Sequence, residues 1–149
     1  MSVIEPKSPT FWLIEPEKHP SQQIIAGGLI LPDGQLAIVR CLPNSSHAIF
    51  PSLKSFQQLQ EKRGRQLIFG NHSLHGYYLN TFKLVRNKDV TGISGTGIVA
   101  EGCYFQSFGG LAVMQWLTDA ASTAWYIGGW EQIELIHGHK GKTQIVMDV

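Results

Sequence analysis

Charge is scarce in this chain. Lysine and arginine number 12 and aspartate and glutamate 11 in 149 residues, so 15% are charged where a soluble domain usually has about a quarter. The net charge of +1 excludes the basic field that wholesale wrapping of nucleic acid requires. At 43% hydrophobic the composition is that of a globular domain, not a disordered one. Cysteine is nearly absent: Cys41 and Cys103 are too few for a disulfide-built scaffold. Both sit in apolar strand-like runs and read as buried free thiols. No stretch approaches the roughly 18 apolar residues of a membrane helix. The opening MSVIEPKSPTFWLIEPE has no basic region followed by an apolar run, so a cytoplasmic protein without a signal peptide or membrane partner is expected.

Signatures of catalysis are missing too. The acidic residues are scattered, with no close carboxylate pair. Ser94, His137 and Asp119 are tied together by no nucleophile motif, so no catalytic residue is assigned. Glu101 alternates with Val99 and Cys103 along one strand, and reads as a surface-facing strand position.

What the chain does have is glycine, 16 residues, and tryptophan, four, a composition that favours turns and strands. It also repeats itself. TFWLIEPEKHPSQQIIAGGLILPDGQLAIVRCL in the first half runs beside TFKLVRNKDVTGISGTGIVAEGCYFQSFGGLAVMQWL in the second. Thr10, Phe11 and Leu13 meet Thr81, Phe82 and Leu84; Ala26 and Gly28 meet Ala100 and Gly102. Leu36 and Ala37 meet Leu111 and Ala112; Gly64 and Ile68 meet Gly141 and Ile145.

Each half reads as four strands, a one- to two-turn helix and a last strand. The helix carries apolar residues three apart, Leu53, Phe56 and Leu59 or Trp130, Ile133 and Ile136. Gly28 and Gly102 suggest a bulge or a close approach. The expected fold is mainly β, a duplicated β-β-β-β-α-β unit of roughly 60 residues. Its layout resembles two small SH3-like barrels packed as a pseudo-twofold pair. The corresponding domains are an N-terminal tail, 1–9, a first repeat, 10–69, a linker, 70–80, and a second repeat, 81–149.

HGHKGKT, His137 to Thr143, looks like a phosphate loop but is not one. Walker glycine loops have GxxxxGK[ST] between a strand and a helix, whereas this segment follows a helix and precedes a strand. Its counterpart is QEKRGRQ, Gln60 to Gln66, and the shared glycine fits a left-handed helix end. His137 and His139 are two apart, where a helical metal pair needs three or four; His72, His75, Cys103 or Asp148 could join them. No cofactor or metal is therefore expected, and the two histidines stand as weak metal candidates.

Basic residues recur in both turns: Lys62, Arg63 and Arg65, then Lys140 and Lys142. They are candidates for meeting an anionic partner. The loop GISGTG, Gly92 to Gly97, could present the backbone amides of Ser94, Gly95, Thr96 and Gly97 to a ligand.

The string DVTGISGTGIVAEGCYF, a strand containing a tryptophan, and IELIHGHKGKTQI resemble a group of small bacterial and phage proteins. Their signature is close to SGTGxVAEGxxF followed by IHGHxGxT, and the likeness covers Asp89 to Ile145. It implies a domain in the second half and carries over no activity and no site residue. The expected function is a non-catalytic binding or adaptor protein whose β units present loops to a protein or nucleic-acid partner. Two alternatives remain open: a binder of a small phosphate-containing ligand at Gly92–Gly97, and a metal-dependent hydrolase centred on His137 and His139.

Overall fold

A computed structural model of the chain describes residues 9–40, 46–70, 73–87, 97–117, 122–138 and 143–148. It divides into two compact units, Met1–Ile30 with Gly34–Tyr78, and Leu31–Asp33 with Leu79–Val149. The first contains β1 (Thr10–Ile14), α1 (Pro20–Gln23), β2 (Ile24–Ile30), β3 (Leu36–Arg40), β4 (Ser46–Phe50), α2 (Leu53–Lys62) and β5 (Gln66–Phe69). A small hairpin, β6 (Ser73–Leu74) with β7 (Tyr77–Tyr78), follows in the segment read as a linker. The second contains β8 (Asn80–Arg86), β9 (Gly97–Phe105), β10 (Leu111–Trp116), β11 (Thr123–Tyr126), α3 (Gly129–His137) and β12 (Thr143–Met147).

The protein is mainly β, with two five-stranded antiparallel sheets. Their orders are β4-β3-β2-β1-β5 and β11-β10-β9-β8-β12. Position by position these are the same order. Both sheets also break register at one matching place. Leu13 pairs with Ala26 but Ile14 with Ile24, and Leu84 pairs with Ala100 but Val85 with Ile98. In each case one extra residue is inserted, Ile25 or Val99, as in a β-bulge.

The barrel expectation is corrected: among the described residues neither sheet closes. Closure requires the two outer strands to pair. Here β5 adds to the free side of β1, which leaves β4 and β5 at opposite edges. The connection between them must cross the sheet. Four strand spacings come to about 19 Å, and the ten residues of α2 span about 15 Å. The helix, longer than the one to two turns expected, is therefore the element that carries the chain from edge to edge.

α2 and α3 each anchor their sheet through one buried apolar side chain. Phe56 packs with Phe11, Leu13, Ala26, Leu36 and Ile38. Ile133 packs with Phe82, Leu84, Ala100, Ala112 and Met114. The helical spacing departs from the sequence expectation. Leu59 and Ile136 are 43% and 51% exposed, and the inward position one turn past the anchor is Gln60 or His137. Residues four apart share a helix face, so the inward stripe from Phe56 runs to Gln60 rather than to Leu59.

Gly28 and Gly102 pair with Phe11 and Phe82. A Cβ at Gly28 would overlap the Phe11 ring, and one at Gly102 would overlap the Val113 carbonyl and the Phe82 ring. These glycines thus permit a close approach, while the bulge lies elsewhere. Gly64 ends α2 with φ of +73°, the left-handed conformation expected of it. Register also shifts part of the sequence matching by one residue. Gly28 pairs with Ile38 and Gly102 with Met114, so Leu36 and Ala37 correspond to Ala112 and Val113. Leu13 faces Leu67 and Leu84 faces Ile145, so Leu67, not Ile68, corresponds to Ile145.

Candidate functional site

Along β8 the alternation Phe82, Leu84, Arg86 carries two core residues and then a cation on the same face. Arg86 is 2% exposed. Its backbone pairs with Gly97 on one side and Thr143 on the other, so it lies where β9 begins and where β12 begins. Its Nε donates to Thr143 Oγ1 at 3.3 Å, and its Cζ lies 5.9 Å from the centroid of the half-buried Trp116 ring. Nη1 is buried with no hydrogen-bond partner among the described residues. Among the described residues no carboxylate reaches Arg86 within ion-pair distance.

His137, the last residue of α3, stands beside this group. Its ring meets Trp116 edge-on at 5.1 Å, and its Nε2 shares a 2.9 Å hydrogen bond with the Tyr126 hydroxyl. Burial pushes the Tyr126 phenol above its ordinary value, so the hydroxyl stays protonated and can donate to a neutral imidazole. Four elements, β8, β10, α3 and β12, thus bring a guanidinium, an indole, an imidazole and a hydroxyl to one end of one sheet.

The matching end of the first sheet is built differently. Two residues beyond Leu13, where the second sheet has Arg86, stands Glu15. Just before β5, where Thr143 stands in the second sheet, is Arg65. One turn past Phe56 is Gln60, in the place of His137. These three side chains meet one another: Arg65 Nε lies 3.6 Å from Glu15 Oε1, and Arg65 Nη1 donates to Gln60 Oε1 at 3.0 Å. Lys18 also bonds Glu15 at 3.0 Å. Lys18 first, and Arg65 with it, hold the Glu15 carboxyl below its ordinary value.

Of the basic-turn candidates, Lys62 and Arg63 are exposed at the end of α2, and Arg65 is engaged by Glu15 and Gln60 as described. Lys140, Lys142 and His139 lie outside the described residues, as do Ser94, Gly95, Thr96, Asp119, His72 and Cys41. Gly97 opens β9 with φ of +85°. His75 pairs with Gln23 Oε1 at 2.9 Å, and Asp148 with Lys83 Nζ at 3.3 Å. Among the described residues no three His, Cys, Asp or Glu side chains are placed to hold a metal ion. Glu101 sits half-buried in β9 opposite Lys83 and Gln115. Cys103 is fully buried, and burial pushes its thiol far above the ordinary range, which removes it as a nucleophile.

Motif reading passes over Arg86, Trp116 and Thr143. The signal for Arg86 was present: a charge two residues beyond Phe82 and Leu84 falls on the core face of a strand.

Residues 79–148 match the family described as Acb5 phage protein. The match spans β8 to β12 with α3, the unit that contains Arg86, and supports a phage-protein domain there. No curated protein and no solved structure matches the chain. No helix among the described residues is long and apolar enough to cross a membrane.

Proposed function

We propose that the protein is a non-catalytic binding protein made of two copies of one sheet-and-helix unit. The second copy holds the recognition site and the first is its structural counterpart. Common strand order, a bulge at the same pair and a helix anchored at the same place support the duplication. One observation carries the assignment of roles. At matching positions the first unit's polar side chains bond one another, whereas among the described residues the second unit keeps a buried guanidinium nitrogen without an acceptor. A buried donor left unpaired costs about 1–3 kcal/mol, more when charged, and such costs recur where a protein must receive something from outside.

A second reading places a protein or nucleic-acid partner on the basic turn after α2. It rests on the exposed Lys62 and Arg63.

The two readings separate by purification of the tagged full chain from its native host, followed by native mass spectrometry. Loss of the co-purifying species in Arg86→Gln, with retention in Lys62→Ser/Arg63→Ser, is the expected outcome. The opposite pattern moves the site to the basic turn.

A further inference from the structure

We infer that Arg86 receives an oxyanion of the phosphate type, carried by a small ligand, at the end of the second sheet. This rests on the binding reading above and names the chemistry of that site. The guanidinium has its Nε tied to Thr143 Oγ1, which fixes the plane of the group and leaves Nη1 with N–H donors and no acceptor. A full positive charge that is 98% shielded from solvent is satisfied by a negative acceptor far better than by a neutral one. The aliphatic and aromatic packing around it, Leu84 on its own strand face and Trp116 over the guanidinium, lowers the local dielectric and strengthens that preference. Trp116, over the guanidinium, is half-buried, as is His137 in edge-on contact with it.

The first unit shows the alternative that a sheet of this order can adopt. There a carboxylate just beyond β1 and a guanidinium just before β5 neutralise each other, and Gln60 accepts a second hydrogen bond from that guanidinium. In the second unit the charge at the end of β8 is reversed, and β12 offers the Thr143 hydroxyl in place of the counter-charge. The missing negative group is the ligand's. Arginine recognises tetrahedral oxyanions through directed N–H donors.

The test uses the full chain in phosphate- and sulfate-free buffer at constant ionic strength. Inorganic phosphate, AMP as a phosphomonoester, and acetate are titrated. The readouts are the Trp116 indole N–H resonance, assigned with Trp116→Phe, and Tm. Phosphate or AMP is expected to move the resonance and raise Tm in the wild type. Arg86→Gln is expected to lose both responses, and Arg65→Gln to keep them. Thr143→Glu supplies an internal carboxylate, as the first unit does, and is expected to abolish the response while remaining folded, so the test survives a failure of Arg86→Gln to fold. Roughly tenfold tighter binding of AMP than of inorganic phosphate identifies an esterified phosphate; equal binding identifies the free ion. An equal phosphate response in wild type and Thr143→Glu, or a response to acetate alone, overturns the assignment. If phosphate is inert but Arg86→Gln still loses its co-purifying species, the oxyanion is wrong and the binding reading stands. If phosphate acts on Arg86 but the co-purifying species is kept by Arg86→Gln, the binding reading is the one that fails.

Discussion

Glu15 and Arg86 occupy the same place in two sheets of the same order, and they carry opposite charges. Glu15 lies close to solvent and has Lys18 and Arg65 beside it. Arg86 is buried, and among the described residues its side chain hydrogen-bonds a hydroxyl, that of Thr143. The difference teaches that one scaffold can use the same end in two ways. On the proposed reading, the end closed with its own ion pairs is structural, and the end left short of one charge is the one that receives an outside group. The comparison has content only if the two scaffolds are equivalent, and that equivalence is open to attack first.

The largest effect is expected from the helix anchors. Phe56→Ala should destabilise the chain by about 3–5 kcal/mol and Ile133→Ala by about 2–5 kcal/mol, each measured by urea unfolding. Hydrogen exchange should show protection lost first in β1 to β5 for one and in β8 to β12 for the other. Loss confined to the same unit in both variants would remove the equivalence.

The glycines sharpen it further. Gly28 and Gly102 lie at matching positions, but a side chain at the first meets a phenyl ring, while at the second it also meets the Val113 carbonyl. A ring can shift more readily than paired backbone. Gly28→Ala is therefore expected to cost about 1–2 kcal/mol and Gly102→Ala about 3 kcal/mol or more, read from the same unfolding curves. Equal costs would mean that the Val113 strand yields as easily as the ring.

Much of this scaffold was legible as sequence because strand alternation and glycine placement are local signals. Phe11 and Leu13, like Phe82 and Leu84, show their shared face by spacing alone. The open sheets were not legible, because which strands pair depends on contacts between distant segments. Nothing in Gln66–Phe69 announces that it adds beside Thr10–Ile14. Identical letters also misled: Leu36-Ala37 and Leu111-Ala112 look alike, yet hydrogen-bond register displaces them by one residue. At the site, attention to glycine, lysine and histidine in the turn drew the eye to His137. Arg86 stood two residues beyond the matched Phe-x-Leu pattern, and its significance comes from Thr143 and Trp116, which only folding brings to it.

The charge reversal gives a comparison of sign. Arg86→Met removes a buried unpaired charge and is expected to stabilise the phosphate-free protein by about 1 kcal/mol, as replacement of buried ionic groups by apolar ones often does. Arg65→Met leaves the buried Gln60 side chain without its donor, and is expected to destabilise by about 1 kcal/mol. Thermal melts of both variants in one buffer decide the matter. The same sign for both would mean that Arg86 is satisfied within the fold, and the contrast between the two ends would disappear.

The smallest effect concerns Glu15. Its carboxyl is held below its ordinary value of 4.5, chiefly by the hydrogen bond from Lys18 and to a lesser extent by Arg65. A depressed folded-state value means that the contribution to stability is present above the unfolded value and is lost as pH falls through the folded one. Because the group is close to water, that contribution is small. Carboxyl carbon NMR titration is expected to place the Glu15 midpoint below 4.5, with Lys18→Ala raising it more than Arg65→Ala. The second shift, though slight, carries the comparison: if Arg65→Ala leaves the midpoint where it was, Arg65 does not neutralise Glu15, and the first unit ceases to be the charge-satisfied counterpart of the second.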